Sequence, residues 1–125
     1  MKLHVHRDAA LNTVTAYGEG WLEINAVRHG HALLVRPEAP VAAWPPARFE
    51  DLEPAHFEAI AAHAPEVVLL GTGATQRFVH PRLVAALTAR RIGVESMDTG
   101  AACRTYNILM SEGRHVLAAL ITPAA

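Results

Sequence analysis

Residues 67–70, Val67-Val68-Leu69-Leu70, are apolar without a break. A strand with one wet face alternates apolar and polar residues; a strand apolar at successive positions has both faces covered. The chain therefore has to build a sheet with material packed on each side. The flanking segments supply that material. Pro54 suits the first position of a helix, where the amide it lacks would have no partner anyway. Phe57, Ile60, Ala61 and Ala64 follow at helical spacing, and Pro65 stops the helix. Pro81 opens a second helix, with Leu83, Val84 and Leu87 on one side and Gly93 past its end. IGVESM (92–97) reads as a strand. Asp98 or Thr99 can cap a third helix, Gly113 closes it, and RHVLAALI (114–121) is a last strand. Such alternation implies parallel strands joined by right-handed crossovers.

The first third has another character. LNTVTAYG, GWLEINAVR and HALLVRP read as strands punctuated by glycine. Gly18 and Gly20 mark one reversal, and His29-Gly30 a tighter hairpin turn. Leu22, Ile24 and Ala26 would share one face of the middle strand, with Glu23 and Asn25 on the other. PEAPVAAWPPA is a loop pinned by prolines, with Trp44 folding onto the core as a lid. The expected fold is a single small α/β domain: an antiparallel β-layer (1–36), a proline-rich loop (37–53) and a mostly parallel βαβαβ half (54–121).

A chain of 125 residues, 51% of them hydrophobic, can bury a core without staples. Charged residues make up only 18%, so the neutral surface suits a protein partner, and a homo-oligomer is compatible with it. A formal net charge of −1 gives no general pull toward nucleic acid or anionic membrane. Arg77, Arg82, Arg90, Arg91, Arg104 and Arg114 all lie in the second half and would form a basic patch if the fold gathers them. A single cysteine excludes an internal disulfide framework and a thiolate zinc cluster. The start, MKLHVHRD, has no apolar signal-peptide core, and no apolar run is long enough to span a bilayer. A cytoplasmic protein is expected.

VVLLGTGATQRF has the rhythm of a dinucleotide-binding turn, with Gly71 and Gly73 leaving a strand and Glu95 ending the next. Gln76 stands where the third glycine belongs, however, and the helix starts late, so its N-terminus would not face a pyrophosphate. A weaker reading is a small-molecule or anion site: amides of Gly73, Ala74 and Thr75 with Arg77, beside Gly71 and Asp98 on the C-terminal edge of the strands, closed by Cys103 and Arg104 at the start of the third helix. On that helix Ala102, Tyr106, Leu109 and Met110 share a side, with Cys103 next to them. Arg104, Asn107 and Ser111 share another. Cys103 reads as a buried apolar residue; as a nucleophile it would need a base brought by the fold, from His80 or His115. Tyr106 is expected to send its hydroxyl to a buried acceptor, Asn107 to make a specific hydrogen bond, and Arg104 to pair with Asp98, Glu95 or Glu112. His4/His6 and His29/His31 read as surface pairs, not metal sites. No catalytic residues, cofactor or metal are assigned.

GTGATQRFVHP and RRIGVESMDTGAACRTYNILMSEGRHVLAAL resemble the small single-domain family that includes the mitochondrial NADH dehydrogenase (complex I) assembly factor 3. GWLEINAVRHGHALLVRP and Trp44 match it more loosely. The resemblance implies a compact α/β domain with an added β-layer and no established catalysis. It leads to a non-catalytic binding protein with protein partners, such as an assembly or chaperone-like factor. The alternatives are the small-molecule or anion site above, or a nicotinamide or thiol enzyme.

Overall fold

The computed structural model describes residues 11–124. Strands β1 (Val14–Gly18), β2 (Trp21–Ile24) and β3 (Val27–His29) form a three-stranded antiparallel sheet. A five-stranded mixed sheet has the order β5-β4-β8-β6-β7, from β4 (Leu33–Val35), β5 (Ala42–Ala43), β6 (Val67–Gly71), β7 (Gly93–Met97) and β8 (Val116–Leu120). β8, β6 and β7 are parallel, as the alternation in the sequence requires, while β4 and β5 extend the sheet antiparallel. The helices are α1 (Pro54–Ala61), α2 (Ala85–Ala89) and α3 (Thr99–Ser111).

The central strands carry out what their composition demands: every residue of β6 and β8 is buried. Val68, Leu70, Leu117, Ala119 and Ile121 face one core with Phe57 and Ile60 of α1, Leu87 of α2 and Trp44. Val67, Leu69, Val116, Ala118 and Leu120 face the other, with Ala102, Cys103, Tyr106 and Met110 of α3 and Val14, Leu22 and Ile24 of the small sheet. The result is one α/β domain in three layers. Trp44 closes over the first core as expected. Its ring meets Phe57 edge-on at 5.9 Å.

Four details of the sequence reading are corrected. GWLEINAVR is a hairpin, not one strand: Ile24 pairs with Val27, and Asn25 (φ 50°) and Ala26 (φ 68°) form a two-residue turn with both residues left-handed. Ala26 is therefore exposed at the turn and does not share a face with Leu22 and Ile24. His29-Gly30 is not a hairpin turn; there the chain leaves the small sheet, and β4 pairs with β8. The segment opened by Pro81 begins as a 3-10 turn (Pro81–Val84). The left-handed residue ending α2 is Arg91 (φ 59°), not Gly93, which starts β7. Ala64 takes φ 50° past the end of α1 and is exposed, outside the helical face it seemed to belong to.

The Asn25-Ala26 turn needs left-handed backbone at a residue with a Cβ, which costs about 1 kcal/mol. Ala26→Gly should therefore raise stability by about 1 kcal/mol and the thermal midpoint by a few degrees, measured by calorimetry.

Candidate functional site

The C-terminal ends of β6, β7 and β8 converge on one junction. The Thr72 amide donates to the Met97 carbonyl at 2.9 Å, and the Ile121 amide to the Gly71 carbonyl at 3.0 Å. Thr99, wholly buried at the start of α3, ties these ends together. Its amide donates to the Gly73 carbonyl at 2.9 Å. Its hydroxyl accepts the Gly73 amide at 2.8 Å and donates to the Ile121 carbonyl at 2.6 Å. Gly71 permits this approach: a Cβ there would lie 2.9 Å from Thr99 Oγ1 and 3.1 Å from Thr99 Cα. Gly73 supplies φ 104°. The two-glycine rhythm thus serves a strand-end junction.

Thr72, also buried, organises the loop that follows. Its hydroxyl donates to the Thr75 carbonyl at 2.7 Å and accepts the Arg77 amide at 3.2 Å. The Arg77 guanidinium lies 4.3 Å from the centre of the Phe49 ring and 2.7 Å from a Glu50 carboxylate oxygen. That hydrogen bond holds the Glu50 carboxyl below the usual carboxylate range. Arg77 is therefore turned toward residues 49–50.

Asp98 is the N-cap of α3, its carboxylate accepting the Ala101 amide at 2.9 Å. Beyond it, the polar residues of the helix reach across to β1. Arg104 Nη1 donates to the Tyr17 hydroxyl, in place of the carboxylate partners expected for it. The Tyr106 hydroxyl donates to the Asn12 carbonyl at 2.8 Å. Asn107 Oδ1 accepts the Val14 amide at 3.0 Å while its Nδ2 donates to the Val14 carbonyl at 2.8 Å, pairing with β1 as a neighbouring strand would. Val14 sits where the β1–β2 register shifts. Asn107 makes the specific hydrogen bond expected of it, while the acceptor of Tyr106 is a half-buried backbone carbonyl rather than a fully buried one. Gly100 completes the contact, since a Cβ there would come 2.8 Å from the Tyr17 hydroxyl.

Cys103 is 1% exposed and points into the core shared by the two sheets. Burial pushes its thiol up to about 12, outweighing the opposite pull of Arg104. Burial likewise raises the Tyr106 phenol.

Of the residues singled out in the sequence, Gly73, Ala74, Asp98 and Arg104 line one open cleft of about 330 Å³ with Tyr17, Glu19 and Gly100. Gly71 lies beneath it in the junction, Thr75 and Arg77 lie outside it, and Cys103 faces away. No histidine or cysteine lines the cleft, and its charged residues are Glu19, Asp98 and Arg104. A larger hollow, about 620 Å³, lies at the opposite end of the strands between residues 36–39, 63–65 and 110–116, with Leu11, the first described residue, in its wall. Nothing in the sequence pointed to it, because its lining comes from loops distant along the chain. Four of the six arginines of the second half are engaged: Arg77 with Glu50, Arg114 with Glu66, Arg104 with Tyr17, and Arg90 with the Ala61 carbonyl. His29 and His31 meet edge-on at 5.9 Å, while His4 and His6 lie outside the described residues. Among the described residues no cluster of His, Cys, Asp and Glu could hold a metal, and no helix is long and apolar enough to cross a membrane.

Residues 14–121 match the family described as "Protein of unknown function (DUF498/DUF598)". The crystal structure of a Bordetella parapertussis protein is 53% identical, superposes with a TM-score of 0.86, and covers 90% of this chain and 97% of its own. An uncharacterised Rhodobacter capsulatus protein is 37% identical over 86% of this chain and 82% of its own length. NADH dehydrogenase [ubiquinone] 1 alpha subcomplex assembly factor 3 of mouse is 47% identical over 46% of this chain, and the bovine form 31% identical over 88%. This chain spans only 31% and 60% of those two relatives' lengths.

Thr99→Val keeps the shape of the side chain but strands the Gly73 amide and the Ile121 carbonyl. It should destabilise the fold by about 2–6 kcal/mol in urea unfolding, at about 1–3 kcal/mol for each of the two stranded groups. Cys103 should resist thiol reagents in the native state at pH 8 and react only on unfolding, measured by the rate of modification. Its raised native pKa means that the unfolded thiol ionises first. Stability is therefore full below pH 9 and declines as pH rises toward 12, which a pH series of unfolding midpoints in wild type against Cys103→Ala would read.

Proposed function

Since the chain belongs to the DUF498/DUF598 family and is homologous to the complex I assembly factor 3 proteins, we propose that it is a non-catalytic binding protein acting as an assembly or chaperone-like factor for a larger complex. The observation that carries this reading is the use made of the chemically capable residues around α3. Asp98 caps the helix, Thr99 joins strand ends, and Arg104, Tyr106 and Asn107 fasten β1. Cys103, the one thiol, is buried and protonated at neutral pH. An enzyme needs a nucleophile or base presented to substrate; here those side chains are turned to holding layers together. Contacts of its surface with other proteins are the means of action this reading assigns.

A second reading, a small-molecule site, is favoured by the cleft that brings Gly73, Ala74, Asp98 and Arg104 to one place. Its lining carries two carboxylates against one guanidinium, so a ligand would need to be polar or zwitterionic rather than a simple anion.

One experiment separates the two. The tagged full chain, expressed in its own cells, should co-purify with a defined protein in fixed stoichiometry. Arg104→Ala, which opens the cleft's charged wall, should leave that association within twofold. Loss of a co-purifying small molecule on Arg104→Ala, with no protein partner recovered, would replace the first reading with the second.

A further inference from the structure

The Phe78 side chain is 83% exposed, far more than any other large apolar side chain among the described residues. Looseness of the loop does not explain this, because the neighbours of Phe78 are held. Arg77 is fixed through its amide on Thr72 and its guanidinium between Phe49 and Glu50. Val79 packs, half-buried, against the core of α1 and α2. Next, His80 caps the turn opened by Pro81, accepting the Arg82 amide at 3.0 Å. The backbone carrying this exposed ring is braced, so binding would have to order only the ring's own rotamers, which suits an interface anchor.

The charge around it indicates the other side of the interface. Between Val67 and Val94 the chain has no Asp or Glu; Arg90 there is turned to the Ala61 carbonyl, which leaves Arg77 and Arg82 as the arginines nearest Phe78 along the chain. Glu50 answers Arg77, but Arg82, four residues from Phe78, is exposed and makes no ion pair among the described residues. Building on the binding-protein reading above, we infer that Phe78 is the anchor of a docking surface for a protein partner with an apolar pocket the size of a phenyl ring and a carboxylate rim facing Arg82. A membrane fits less well: stable membrane attachment needs several apolar residues or a polybasic cluster, and this loop offers one ring on a chain of formal net charge −1.

The test begins with Phe78→p-benzoylphenylalanine in the full chain, crosslinked by light in the cells that make the protein. The crosslinked protein is identified, purified and titrated against wild type, Phe78→Ala, Phe78→Tyr and Arg82→Glu by calorimetry. Expected are one principal protein adduct, an affinity loss of at least about tenfold for Phe78→Ala with recovery in Phe78→Tyr, and a salt-sensitive loss for Arg82→Glu. The thermal midpoint of Phe78→Ala should match wild type, since the ring buries little in the free protein. A partner that binds Phe78→Ala as tightly as wild type overturns the anchor and leaves the binding-protein reading standing. Adducts only with a second copy of this chain, or Phe78-dependent sedimentation with phosphatidylglycerol vesicles in place of a protein adduct, also overturn it. So does a drop of many degrees in the midpoint of Phe78→Ala, which would make the ring structural. Failure of the tagged wild-type chain to hold any protein partner removes the reading beneath it as well.

Discussion

Parallel strands β6 and β8 end side by side in a buried junction, which leaves their last amides and carbonyls in need of partners, and buried backbone groups are rarely left unpaired. Thr99 meets that need with one side chain. Its hydroxyl has a donor and an acceptor role available, and both are used, one toward Gly73 and one toward Ile121. The bond to Ile121 holds the end of β8 and the bond to Gly73 the end of β6, while α3 begins at the same residue. The placement of α3 across the sheet follows from this junction. The glycine at 71 is a consequence of the close approach, since a methyl group would collide with the threonine that makes it.

Once α3 is placed, it determines where the second sheet lies. β1, β2 and β3 have five, four and three residues. A sheet of that size is marginal alone and needs a partner to pack on. Val14, Leu22 and Ile24 provide the apolar contact, but apolar contact is not directional. The hydrogen bonds from Tyr106 and Asn107 are, and they fix which residue of the N-terminal segment sits at which turn of the helix. The pair of bonds from Asn107 lands at the register shift of β1, where the ladder with β2 is interrupted and the backbone is free to take a side-chain partner.

Most of the frame was legible because it rests on local rules. The unbroken run at Val67–Leu70 announced a covered strand, Pro54 and Asp98 announced helix starts, and Gly113, at φ 81°, closed α3 as a glycine does. The errors fall where a residue without the usual signature takes the unusual conformation. Asn25-Ala26 turns without the glycine that normally follows asparagine in such a loop, and Arg91 ends α2 in the position where glycine is expected. The proposed site was legible only in part. Gly73, Ala74, Asp98 and Arg104 do converge, because the C-terminal edge of parallel strands is set by topology. The turning away of Arg77 depends on Phe49 and Glu50, from a loop whose position no local pattern encodes. Thr72 and Thr99 were missed as organisers. A threonine in a loop carries no mark in sequence that its hydroxyl is buried, though both stand beside glycines at strand ends, which is where close backbone approach is needed.

The run ACRTYN has the look of an active site, since it puts a thiol, a guanidinium, a phenol and an amide within six residues. Its specificity has another origin. Three of its side chains, Arg104, Tyr106 and Asn107, each reach a defined atom of β1 or the segment before it, so they are constrained by geometry rather than by chemistry. Resemblance carried by such a run transmits a fold, and folds host many functions. Whatever distinguishes one protein of this architecture from another must then lie on surfaces that these fasteners do not occupy. In this chain the loop after β6 is such a surface: its inner side is committed to Thr72, Phe49 and Glu50, and its outer side is not. A braced inner side leaves the outer residues open to change without disturbing the frame, which is the arrangement expected where a small domain meets something outside itself.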